Sequence, residues 1–382
     1  RVIVLALAAA VVTANAYYIH PIIGPVADSF TISDGMVGIV PAANQIALAL
    51  GVLLLLPLGD RFSNRRLVMF FLSVQVLALI GMALFDLFLP FVAASTLLGF
   101  FTITPYLLPA YVSQRVAPEQ LGFATAILTA GVVAGVQIAR VGSGVLAEWF
   151  GWRGVYWIAA GLMLASAVLL PMIMEREEPA KAEQPHYDKL LASMLQMARE
   201  HRDVVASGVI QALNFGIFIA IWMGIGLHLT SDNLNLGTDV VGYLSAVSLI
   251  SLLTTPRLGK WADRLGPERA RLRMALLQLT GIAALALVHW SWWWLLLSIT
   301  VTSFAGPLVD VTGRMIGLRK SPTIRTRLMS IYVTLMFIGG SIGSWSGTLA
   351  YDVAGWNGTL GWSLLLSLLL CGLSWQQLRR LP

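Results

Sequence analysis

The sequence predicts an all-α membrane protein, with twelve transmembrane helices in two six-helix pseudo-repeats. Three observations carry that prediction. The 382-residue chain is 57% hydrophobic and only 12% charged, with a mean hydropathy of +0.78, whereas soluble domains carry roughly 25% charged residues. A globule of this size has too little interior to hide so much apolar surface, so the excess faces lipid. The few charges are confined to short stretches between apolar runs, and landmarks in the first half of the chain recur in the second.

The apolar runs are 2–25, 36–57, 67–85, 90–113, 122–147, 154–174, 205–228, 240–256, 274–290, 292–313, 328–350 and 358–378. A spanning helix needs about 20 apolar residues, and 240–256 and 274–290 fall short of it. Ten of the twelve runs lack Asp, Glu, Lys and Arg. The exceptions hold Arg140, in the fifth, and Asp310, in the tenth. Strand-like alternation is absent, which argues against a barrel.

The net charge of +6 is not spread evenly. Loops 59–66, 114–121, 175–204, 257–273 and 314–327, with both tails, hold 23 of the 25 Lys and Arg residues; Arg153 is the one basic residue of the alternate loops. This is the positive-inside asymmetry, and it predicts cytoplasmic termini. The basic loops are expected to meet anionic headgroups of the lipid bilayer rather than nucleic acid. The first run opens directly after Arg1 and reads as a retained helix rather than a cleaved signal. Cys371 has no second cysteine to pair with.

Stretch 175–204 is the one long polar segment, a Pro/Glu/Lys-rich linker followed by an amphipathic segment from Leu190 to Met197. It predicts a division into a six-helix bundle over 1–174, a cytoplasmic linker with an interfacial helix over 175–204, and a second bundle over 205–382. The halves look related. Asp60 of "LGDRFSNRR" and Asp263 of "GKWADRLGPER" lie 203 residues apart, and "GWRG" at 151–154 precedes "GWNG" at 355–358 by 204. Two halves of this kind enclose a site near the midplane, and rocking between them gives alternating access.

The stretch Gly259-Lys-Trp-Ala-Asp263-Arg264-Leu-Gly266 carries a resemblance. It matches the loop signature Gly-x-x-x-Asp-Arg/Lys-x-Gly-Arg/Lys of the major facilitator superfamily up to its last position, which is Pro267 here. Asp60, Arg61, Arg65 and Arg66 form a looser copy in the first half, with Leu56 and Ser63 at the glycine positions. Each copy follows the second run of its half. With "ANAYYIHPIIGPVADSF", "LLLLPLGDR", "ARVGSGVLAEWFGWR" and "RLMSIYVTLMFIGGSIGSW", the chain resembles the drug-proton-antiporter-like branch, often called sugar or drug efflux permeases. The resemblance implies the major facilitator fold, a bacterial inner-membrane location, and export driven by the proton gradient with no bound cofactor. It also implies a gate in which the motif aspartates pair with arginines and cap a neighbouring helix. Two positions depart from the family's efflux pattern: Ser95 stands about where an Arg is common in the fourth span, and the fifth span has no Gly-Pro pair.

Arg140 is the leading candidate for the site. A charge at mid-span costs about 2.5–3.5 kcal/mol on insertion scales, and such residues mark pathways or pairs. It either faces a cavity or serves a structural role, bonded to carbonyls or snorkelling about 10 Å to the end of its run. Nearby Gly131, Gly135, Gly142 and Gly144 predict close helix packing. Asp310 and Arg314, four apart on one helix face, form either a local ion pair or the coupling carboxylate and its partner. Asn15, Tyr17, Tyr18 and His20 precede Pro21 and are expected to line the cavity, with an interfacial place near the outer end as the alternative for His20. Asn44, Gln45, Tyr106, Gln137 and Asn214 could line it too, or bond between helices. Phe215 and Trp222 could stack on substrate or pack in the core. Trp149, Trp152, Trp290, Trp292, Trp293, Trp294 and Trp356 read as an interfacial aromatic belt.

No Walker loop, metal cluster or nucleophile elbow is present, so neither ATP hydrolysis nor enzymatic catalysis is expected. The expected activity is monomeric secondary transport of a small organic solute. A cavity for cationic drugs calls for a carboxylate at depth. The first half offers Arg140 instead, which favours a neutral polar or anionic metabolite over a drug. Uptake or facilitated diffusion on the same fold is the alternative, and a non-transporting receptor a more distant one.

Overall fold

The computed structural model describes residues 2–175 and 187–380, and every regular element among them is helical. Ten helical stretches are long and apolar enough to cross a membrane. Two of them, Pro118–Ile173 and Pro322–Arg379, have 56 and 58 residues. At ~1.5 Å per residue each would extend well beyond a bilayer as one rod. Each instead turns back at a glycine in the left-handed region, Gly151 (φ 70°) and Gly355 (φ 56°), which a side chain would strain. These are the two "GW" landmarks, so each long stretch makes two crossings and the total is twelve.

The eighth and ninth spans are longer than their apolar runs. Thr238–Leu265 and Pro267–Leu287 have 28 and 21 residues, because the helices continue past the apolar band through Arg257, Lys260 and Asp263 and through Glu268, Arg269 and Arg271. Gly266 (φ 92°) makes the turn between them. A helix over Tyr187–Glu200 precedes the seventh span. The first part of the polar linker, 176–186, lies outside the described residues.

Small residues set the packing within each half. In the fifth span Gly131 and Gly135 rest on the backbone of Ala6 and Ala10 in the first. In the eleventh, Gly339, Gly343 and Gly347 rest on Ala212, Gly216 and Ala220 in the seventh. Spacing by four puts each glycine set on one helix face and lets backbones approach. Gly135 and Gly339 are 204 residues apart, so the same seam occurs in both halves.

The halves meet mainly through three helix pairs, the second with the eleventh span, the fifth with the eighth, and the first with the seventh, and the first also touches the eighth. Ser341, Ser344 and Thr348 donate to the carbonyls of Ala42 (2.8 Å), Gly38 (3.1 Å) and Gly35 (3.4 Å). Thr238 donates to the carbonyl of Gly144 at 2.8 Å. Gly24 lies against Thr230, Gly226 against His20, and Gly144 against Gly242. Among the described residues, the hydrogen bonds that join the halves all lie toward the end away from the basic loops. These contacts close that end, while nearer the basic end the halves meet through apolar side chains, among them Tyr106 and Phe337.

The tryptophan belt is only partly present. Trp149, Trp290 and Trp293 are largely exposed, but Trp152 and Trp356 are buried. Each follows a turn glycine that folds the chain back into its own half. Trp152 packs against Phe30, Phe91 and Tyr156. Trp356 donates to the Leu285 carbonyl and stacks on His228. Arg153, the lone basic residue of these loops, donates to the carbonyls of Ala83 and Phe85 and pairs with Asp86 at 3.0 Å. It thereby satisfies free carbonyls at the end of the third span.

The seam yields a direct test. A Cβ at position 339 would overlap the Ala212 backbone, whereas one at 361 meets open space. Gly339→Ala is expected to lower stability in detergent by about 1–3 kcal/mol, the range for overpacking, while Gly361→Ala leaves the melting temperature unchanged or slightly higher. Equal responses would contradict the seam.

Candidate functional site

Arg140 has no exposed surface. Its Nη2 donates to Oε1 of Gln137, one turn earlier. Its Cζ lies 4.2 Å from the ring centre of Trp222 and 5.0 Å from that of Phe218. Nε and Nη1 have no partner, and no carboxylate bonds to it among the described residues. The guanidinium therefore neither snorkels nor bonds to backbone carbonyls. It reaches from the fifth span into the interface and is covered by two rings of the seventh.

The first span is broken beside it. Pro21 lacks an N–H, and its ring would clash with the Tyr17 carbonyl in a regular helix. Helix Val2–Ala14 therefore ends, tight i to i+3 bonds carry the chain through 15–18, and helix Ile19–Phe30 begins. The break places Tyr17 within electrostatic range of both Arg140 and Asp310. His20 is fully buried with both ring nitrogens unpartnered, edge-on to Tyr17 and near Phe218. It is an interior residue, not an interfacial one. Tyr18 is buried in the same segment.

Gln45 is also fully buried with neither side-chain polar atom bonded. It faces Gly340 of the eleventh span, beside Phe215. Phe215 stacks on Phe218, with centroids 5.9 Å apart and 14° between planes, and meets Phe337 edge-on. Tyr106 meets Phe337 from the fourth span. The interface thus gathers Arg140, Gln137, Tyr17, His20, Gln45 and a row of rings.

The three asparagines behave differently. Asn15 donates to Gln75 at 3.2 Å, and Gln75 donates to the carbonyls of Phe71 and Phe101, tying the first, third and fourth spans. Asn44 donates to the Ser95 carbonyl at 2.8 Å. Asn214 donates to Gln211 and to the Gly306 carbonyl, both at 3.0 Å. In each case the amide N–H groups bond between helices of one half instead of pointing into open space.

Asp310 and Arg314 form a forked pair, with Nε 3.0 Å from each carboxylate oxygen. The Tyr332 hydroxyl donates to Asp310 Oδ1 at 2.9 Å, and both members of the pair are partly exposed. Tyr106 lies within electrostatic range of this pair and of Tyr17. Tyr332, Gln75, Phe218 and Phe337 are the residues that sequence reasoning missed. Gln75 and Tyr332 had a signal, being polar groups within apolar runs. Phe218 and Phe337 had none.

The second loop motif is disengaged. Asp263 and Arg264 are exposed and make no bond among the described residues, so the expected aspartate–arginine pairing is not formed there. Gly259 lies near Val311. In the first copy Arg65 donates to the Pro171 carbonyl at 2.7 Å, Arg61 and Arg66 are exposed, and the Asp60 side chain lies outside the described residues.

These placements separate residues that hold the fold from residues that do not. Gln75→Leu strands Asn15 and is expected to destabilise the protein by about 1–3 kcal/mol, the cost of an unmet buried polar group. His20→Leu loses no partner and is expected to leave the melting temperature unchanged or raised. A loss at His20 as large as at Gln75 would make His20 a structural residue.

The chain matches the Major Facilitator Superfamily model over residues 5–309 and 209–380. It is 27% identical to "Uncharacterized transporter YgaY" of Escherichia coli O157:H7, over 94% of this chain and 90% of that one. It is 26% identical to "Multidrug resistance protein MdtG" of Serratia proteamaculans, over 72% and 67%. Among solved structures, it is similar to a bacterial homologue of the human lysosomal transporter Spinster in an inward-facing and occupied conformation (TM-score 0.78, 14% identity, 100% and 96% coverage). It is also similar to a D-xylose–proton symporter (TM-score 0.75, 13% identity, 97% and 96% coverage). With twelve crossings, a repeated helix seam and a family match along nearly its whole length, the chain belongs to the Major Facilitator Superfamily and is a multi-pass membrane transporter of small molecules, not an enzyme.

Proposed function

We propose that this transporter exports a small neutral polar or anionic organic solute across the bacterial inner membrane in exchange for protons. The observation that carries the solute preference is Arg140, a fully buried cation between the halves with Nε and Nη1 unpartnered. Buried charges call for a partner, and a solute with an acceptor oxygen supplies one. The charge asymmetry of the loops supports placing the basic end in the cytoplasm. In that orientation the closed end faces outward, and the unpaired Asp263 and Arg264 belong to the cytoplasmic gate.

Asp310 is the proposed proton-coupling group. It is half-buried, bonded to Arg314 and Tyr332, and within electrostatic range of Tyr17, which also senses Arg140. Protonation would release Arg314 from its pair and change the charge balance of the shared interface. No resident cofactor is called on. The relatives named as a transporter and a multidrug resistance protein support export in general terms.

Two measurements decide. In proteoliposomes, solute export should move protons the opposite way, and Asp310→Asn should abolish that movement; solute flux without proton movement would overturn antiport. Efflux of cationic dyes is expected to be weak, and robust dye export unaffected by Arg140→Ala would overturn the solute preference.

A further inference from the structure

Resting on the reading that Arg140 meets the transported solute, we infer that the solute is an aromatic monocarboxylate. Charge sets the first term. Among the described residues the interface holds two guanidinium groups, and Asp310 neutralises Arg314 through two 3.0 Å contacts. Arg140 alone is unmatched. The ring faces of Trp222 and Phe218 attract a desolvated cation, but less strongly than burial disfavours the ion. The rings leave a deficit that one negative charge removes. A second negative charge would find no free cation, and an amine would meet Arg140 as a like charge.

Shape sets the second term. A carboxylate presents two coplanar oxygens that suit the planar donors of a guanidinium; Nε and Nη1 are unpartnered but lie on different edges, so a two-point contact pairs one of them with the second N–H of Nη2, whose first goes to Gln137. Gln45, whose amide atoms are unpartnered, lies by Gly340 beside Phe215. The remaining walls are aromatic. Phe218, Phe215, Phe337 and Tyr106 run ring to ring, with successive centroids 5.9, 5.8 and 6.1 Å apart. This row leads from Arg140 toward the Asp310–Arg314 pair. Flat rings stack or meet edge-on with such walls, and Phe218, half-buried, is the wall that must move for a carboxylate to reach the guanidinium.

The test is a binding series on the purified full-length chain in detergent, read by thermal shift and calorimetry. The probes are benzoate and trans-cinnamate, benzamide as the neutral isostere, phthalate as the dianion, benzylamine as the cation, and hexanoate as the aliphatic monocarboxylate. Benzoate and cinnamate should bind best, and Arg140→Gln should weaken them at least roughly thirtyfold, the lower bound for removing one partner of a buried charge pair. Benzamide, phthalate or hexanoate binding as tightly as benzoate would overturn the inference. If a neutral solute binds instead and Arg140→Gln removes it, the cavity reading stands and the carboxylate assignment falls. If nothing in the series responds to Arg140→Gln, both fall. Should Arg140→Gln not fold, Phe215→Leu decides: it should shrink the preference for benzoate over hexanoate, and an unchanged preference would overturn the inference.

Discussion

A guanidinium that is always charged sits where neither water nor a carboxylate reaches it. In a bilayer interior that condition is severe, since charge there is met by pairing, by a wet cavity or not at all. Arg140 has one glutamine oxygen and two ring faces. The ring faces come from the opposite half of the molecule. The environment of Arg140 therefore changes whenever the halves move, and in the proposed role its charge links solute binding to the conformation of the whole transporter.

The surrounding architecture serves to place that charge. Gly131 and Gly135 press the fifth span onto the first, and Gly339, Gly343 and Gly347 press the eleventh onto the seventh. Each half is thus held together where its backbones touch. The contacts between halves at the closed end are hydroxyl-to-carbonyl bonds and glycine approaches. They can be lost and remade against water or lipid headgroups without stranding a charge. The prolyl break in the first span brings Tyr17 and His20 to the same layer as Arg140, which a continuous helix would not do.

The fold was legible from three physical signals: apolar length, charge segregation and a repeat of about 204 residues. Each is local or periodic, so a linear reading finds it. The ends of the eighth and ninth spans were not legible, because their helices continue through charged residues beyond the apolar band. Trp152 and Trp356 were misplaced for a related reason, since the turn glycines before them reverse the chain and bury what hydropathy assigns to the surface. At the site, the prominence of Arg140 was visible as one charge in an apolar run, and the Asp310–Arg314 pair followed from helical spacing. Which amides bond within a half and which face the interface could not be read. Asn15 finds Gln75 sixty residues away, while Gln45 finds no partner, and only the assembled helices distinguish them.

The central claim is that Arg140 is left unmatched by the protein itself. The most direct measurement supplies the missing charge from within, by comparing the melting temperature of Phe218→Glu with that of the parent protein, each with and without benzoate. If the claim holds, the new carboxylate raises the melting temperature of the ligand-free protein and removes its response to benzoate. A melting temperature that is unchanged or lower, with the response to benzoate intact, would contradict it.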